Sequence, residues 1–119
     1  MGDRANVLVR EDSADSGVYL YTHWRGTELP RLLQEALQRN VRWNDCPYLT
    51  RIIFDGMSKG THGQELGFGI AARPQDGEDR VLIVDVESQT VTRGNYVFSF
   101  EDFCQMEAWQ LDDFWGIYP

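Results

Sequence analysis

Several things are scarce in this chain, and each scarcity removes a class of explanation. Lys59 is the only lysine among 11 basic residues, and nothing basic follows Arg93. Nineteen carboxylates outnumber the basic residues, for a net charge of -8. Non-specific nucleic-acid binding needs lysines and arginines to displace counterions from phosphates, so it is not expected here. Attachment to an anionic membrane surface is disfavoured for the same reason. The 2 cysteines, Cys46 and Cys104, lie far apart and form no C-x-x-C pair, as expected of free thiols in a reducing compartment. The opening residues Met1–Asn6 are polar, so no secretory signal is expected, and no apolar run approaches the ~20 residues that span a bilayer. Together these point to a cytoplasmic protein.

What is present suits one globular domain over residues 1–119. The hydrophobic fraction is 42% and the charged fraction 25%, enough to build a core without metal or disulfide staples. Residues 5–10 and 18–24 read as strands joined by an acidic, serine-rich turn ending at Gly17. Leu29, Leu32, Leu33, Ala36 and Leu37 form the stripe of an amphipathic helix that ends near Asn40, with Thr27 as its cap and Pro30 in its first turn. Leu49, Ile52, Ile53, Gly56 and Met57 repeat that stripe, with Asn44 or Asp45 as cap and Pro47 just inside.

Strands resume at 66–72, 80–86, 90–93 and 95–99, and Ser99 followed by Asp102 signals a short helix from Phe100. The expected fold is therefore α+β, in the order ββααβββα. An antiparallel sheet of about 4–5 strands carries two main helices on one face, because the connections look too short for parallel crossovers. The run 80–86 reads as a central strand, which leaves Asp85 either buried and paired or at an exposed edge.

Four phrases agree in order with a group of small proteins encoded by bacteria, phages and prophages that open with MGDRAN. They are MGDRANV, GVYLYTHWRGTELP, RIIFDGM and VLIVDVESQTV. The chain resembles that group over residues 1–93. The resemblance implies a prokaryotic host cell and transfers no activity or functional residue. By association with phages it suggests an inhibitor of a host defence system, of the anti-CRISPR kind.

Two surfaces are candidates for contact. The C-terminal segment 94–119 holds Phe100, Phe103, Trp109, Phe114, Trp115 and Tyr118 among five carboxylates and no Lys or Arg. Aromatics this dense must either fold over the domain or dock on a partner. The docking reading assigns Glu101, Asp102, Trp109, Asp112, Asp113 and Trp115 to a protein partner with a basic surface. On strand 18–24, alternation puts Val18, Leu20, Thr22 and Trp24 on one face and Tyr19, Tyr21 and His23 on the other. With Arg25, that second set would make a ligand pocket, unless a second copy or the C-terminal segment covers it.

Weaker constellations add little. Cys46 at a helix start could pair with His23 as a nucleophile, but no third member is visible. His23 and His62 sit in no metal-binding spacing. The loop Gln75–Asp79 and the glycines of 60–63 and 67–69 lack the full patterns of calcium or phosphate sites. No catalytic residue, cofactor or metal is expected. The expected function is a small acidic binding protein acting by stoichiometric occlusion. The alternatives are a small-molecule or nucleotide binder or small hydrolase with a pocket on the open sheet face, and a structural homo-oligomer.

Overall fold

The computed structural model describes residues 2–60, 67–75 and 80–116. Six strands form one sheet: β1 (Ala5–Arg10), β2 (Val18–Thr22), β3 (Phe68–Ala71), β4 (Val81–Asp85), β5 (Thr90–Arg93) and β6 (Tyr96–Ser99). Four helices join them: α1 (Leu29–Gln38), preceded by a 3-10 turn at Gly26–Glu28, then α2 (Cys46–Met57), α3 (Phe100–Gln105) and α4 (Ala108–Trp115). The α+β class holds, but the strands among the described residues number six, and the sheet is mixed.

The strand order is β3-β2-β1-β4-β5-β6, and β1 pairs with β4 in parallel, Val7 against Leu82 and Val9 against Val84. This corrects the antiparallel expectation. Turn length constrains only strands consecutive in sequence, whereas β1 and β4 meet after two further strands and two helices have intervened. β3 and β4, consecutive in the chain, both run parallel to β1, with β2 and β1 between them in the sheet. Just after β3, Gln75 lies against Asn6. Its N–H donates to Asn6 Oδ1 at 3.1 Å and its carbonyl accepts from Asn6 Nδ2 at 2.7 Å.

One face of the sheet holds the core. Ala5, Val7, Val9, Leu20, Leu82, Val84 and Val91 point into it and meet the apolar stripes of α1 and α2. All five predicted stripe residues of α1 are buried, as are Leu49, Ile52, Ile53 and Met57 of α2. Gly56 faces α1 in this stripe, where a Cβ would make only an ordinary contact, 3.5 Å from the Ala36 Cβ. Asp45 caps α2 by accepting from the Tyr48 N–H at 3.3 Å. Thr27 caps nothing; it lies in the 3-10 turn, and its own N–H donates to Asp3 at 2.8 Å.

The C-terminal segment builds a third part of the helical layer. Phe100, Phe103, Leu111, Phe114 and Trp115 are all buried in the common core. Gln34 of α1 reaches across, its amide donating to the carbonyls of Phe103 at 3.0 Å and Met106 at 2.7 Å. Asp85 belongs to a central strand and is buried and paired, accepting from Arg10 Nε at 2.9 Å and from the Ser88 hydroxyl at 2.9 Å.

Candidate interaction surfaces

The acidic, aromatic surface arises from how α3 and α4 are capped. The Ser99 hydroxyl accepts from the Asp102 N–H at 3.0 Å, starting α3 with Glu101 and Asp102 in its first turn. Negative charge there complements the helix dipole, so these two acids also have a structural role. A reciprocal box of Glu107 and Gln110 starts α4. The buried stripe Leu111, Phe114, Trp115 then fixes which side of α4 faces water.

Glu101, Asp102, Glu107, Trp109 and Asp113 are thereby exposed, Trp109 to 61%, with Asp112 half-buried. Among the described residues none of these carboxylates joins an ion pair; the arginines that do so pair elsewhere. Trp115 must be removed from the contact set. It is 1% exposed, and its indole N–H donates to the Gly26 carbonyl at 2.8 Å. Arg93 and Arg80 cover its ring, their guanidinium carbons 4.7 and 5.3 Å from the centroid. Trp115 is a pin between the tail and the sheet, and burial gives it no face to offer. Tyr118 lies outside the described residues.

The second surface is the sheet face away from the helices. Tyr19 and Tyr21 point there, as alternation requires, and no helix covers them among the described residues. The described part of the C-terminal segment packs on the opposite, helical side. Tyr21 lies across Gly69, where any Cβ would collide with its ring, so the glycine is the seat for the tyrosine. His23 meets Tyr21 edge-on at 5.2 Å.

The four proposed pocket residues do not converge. β2 stops at Thr22, whose hydroxyl accepts from the N–H groups of Trp24 at 3.3 Å and Arg25 at 3.1 Å and turns the chain. Trp24 is consequently 56% exposed and lost to the helical face. Arg25 turns to the helical side, making two hydrogen bonds with Glu28 at 2.7 and 3.1 Å. The Glu28 bonds raise the pKa of Arg25 against the opposing effect of burial, with help from the Glu28 and Glu35 charges.

The nucleophile pairing also fails. Cys46 lines a cleft of about 490 Å³ with Val9, Glu11, Asp15, Gly17, Val18 and Thr50, at the start of β2. His23 follows the other end of that strand, five residues and ~16 Å of extended chain from Val18. Burial pushes the Cys46 thiol up, and the nearby Glu11 carboxylate pushes it further, so the helix start does not produce a thiolate. No group of His, Cys, Asp and Glu among the described residues could hold a metal ion. The glycine loop at 60–63 and the acidic turn at 75–79 fall largely outside the described residues.

Sequence reasoning missed the Arg80–Trp115–Arg93 stack and the Gln34 clamp. Both join residues more than 20 positions apart, and no local spacing announces them. No described helix is long and apolar enough to cross a membrane. The chain matches no protein-family model, no curated protein and no solved structure.

Proposed function

We propose that this chain is a binding protein that acts by stoichiometric contact, presenting the outer side of α3 and α4 to a protein with a basic surface. The observation that supports it is Trp109, 61% exposed on a helix whose other face is locked into the core, on the same unit as Glu101, Asp102, Glu107 and Asp113, which join no ion pair among the described residues. A rigid aromatic anchor among carboxylates is what recognition of a cationic surface needs. The ring supplies contact area at low entropic cost, and the charges speed encounter. Joined to the MGDRAN resemblance, this reading makes the partner a component of a host defence system that the surface occludes.

The test is affinity capture from a bacterial lysate at low and at moderate salt, with the wild type beside a variant carrying Trp109→Ala and Asp113→Lys. The wild type retains one stoichiometric basic partner that salt releases, and the variant loses it. A partner held equally by both would place the contact elsewhere. Absence of any protein partner would end the binding reading.

A further inference from the structure

We infer that the open face of the sheet is the surface through which two copies of this chain pair. The strand registers align one row of side chains across all six strands: Ala71, Tyr19, Leu8, Ile83, Thr92 and Val97. None of the six carries charge. On one side the row is bordered by Gly69, Tyr21, Asn6 and Val81, with Gln75 closing over Asn6. On the other side stand Arg10 and Asp85, which neutralise each other, and then Thr90 and Ser99.

A sheet face left to water normally carries polar side chains, alternating with an apolar inner face. Here the outward row is apolar at its centre, where β1 and β4 cross it at Leu8, already buried at 7% exposed, and at Ile83, which is half-buried. Val97 at its end is 61% exposed. Tyr19, Ile83 and Thr92 are only half-covered.

Charge selects the occupant. The chain carries -8, so two copies repel through most of their surface, and this row, whose six residues carry no charge, is where they approach at least cost, the carboxylates Asp12 and Glu87 standing beyond the Arg10–Asp85 pair at its border. A basic partner would be steered instead to the acidic regions. Size agrees. Six strands about 4.8 Å apart and about five residues long give a face of roughly 29 by 17 Å. Two such faces bury about 1,000 Å², the lower limit for a specific interface, which fits a micromolar dimer. Packed sheets lie ~10 Å apart, so the rows of the two copies interdigitate about a two-fold axis.

Sedimentation equilibrium of the full chain, from about 5 to about 500 µM, brackets that affinity. The wild type should pass from monomer to dimer, and moderate salt should tighten the dimer by screening like charge. Thr92→Glu and Val97→Glu, placed at half-covered and exposed positions so that the fold survives, should each weaken the dimer at least about 10-fold while circular dichroism stays native. Asp113→Lys should not weaken it. A wild type that remains monomeric at the highest concentration overturns the inference. So does a dimer that both glutamate variants leave intact.

Discussion

Replacing Gln34 with methionine isolates what holds the C-terminal helices to the domain. The two side chains are nearly the same size, so packing is retained while both donors are lost. Gln34 is 8% exposed, and its amide serves the carbonyls of Phe103 at 3.0 Å and Met106 at 2.7 Å. The Phe103 carbonyl keeps a second donor, the Met106 N–H at 3.3 Å. The Met106 carbonyl loses its donor inside the interface. Two hydrogen bonds at about 1 kcal/mol each, one of them leaving an unsatisfied acceptor, predict a loss of about 2 kcal/mol. For a domain of this size that lowers Tm by roughly 8 °C. Urea unfolding read by tryptophan fluorescence measures it, since Trp115 sits at the junction. The variant should also show a fluorescence transition earlier than the far-ultraviolet one if α3 and α4 release first. A stability change below about 0.5 kcal/mol would refute the clamp, because it would mean that the two carbonyls are as well served by water.

Two further outcomes follow from the titrating groups. Burial raises the Asp85 carboxyl, but the N–H and hydroxyl of Ser88 and the Arg10 guanidinium outweigh it and hold the group below its ordinary value of 3.8. Its folded pKa is depressed, so its stabilisation is complete above the unfolded pKa and is lost as pH falls through the folded one. Asp85→Asn should therefore be less stable than the wild type at pH 7, by about 2 kcal/mol. The gap measured by urea unfolding should shrink once pH drops below about 4, and a gap that does not change with pH would contradict the pairing. Cys46, raised by burial and by Glu11 and then Asp15, should react with iodoacetamide at neutral pH more slowly than an unstructured peptide thiol; an equal or faster rate would reopen the nucleophile reading.

The parts of the fold legible in the sequence are those decided within a dozen residues. Residues 5–10 and 90–93 form strands with the expected bounds, and the stripe Leu29–Leu37 is buried at every position. Sheet order was not legible. The pairing of Val7 with Leu82 joins segments 75 residues apart, and nothing local distinguishes β4 beside β1 from β4 beside β3. The tail misled for another reason. Leu111, Phe114 and Trp115 are a helical stripe too short to register as a period, so Trp115 read as a contact residue when it is a core one. On β2 the faces of Tyr19 and Tyr21 were legible because alternation is local. The departure of Trp24 and Arg25 was not, because it depends on the Thr22 hydroxyl capturing the next two N–H groups.

The two proposed surfaces lie on opposite sides of the same sheet, and this arrangement decides whether they conflict. Phe98, Phe103 and Phe114 pack together, which places α3 and α4 in the helical layer; Phe98 faces the helices because it pairs with Val91. In a dimer joined through the open faces, the acidic units of the two copies would sit at the two outer surfaces. Between them lie two sheets and two helical layers, each layer adding ~10 Å. That distance is several times the ~8 Å over which salt screens charge at physiological strength. The repulsion between the two acidic units is therefore small, and the carboxylates that attract a basic partner do not oppose pairing. At the border of the pairing row Arg10 and Asp85 are already spent on each other, and Asp12 and Glu87 lie beside them in the same cleft. A neutral row and an acidic helical surface can thus coexist in one small domain because the sheet and its helices keep them apart.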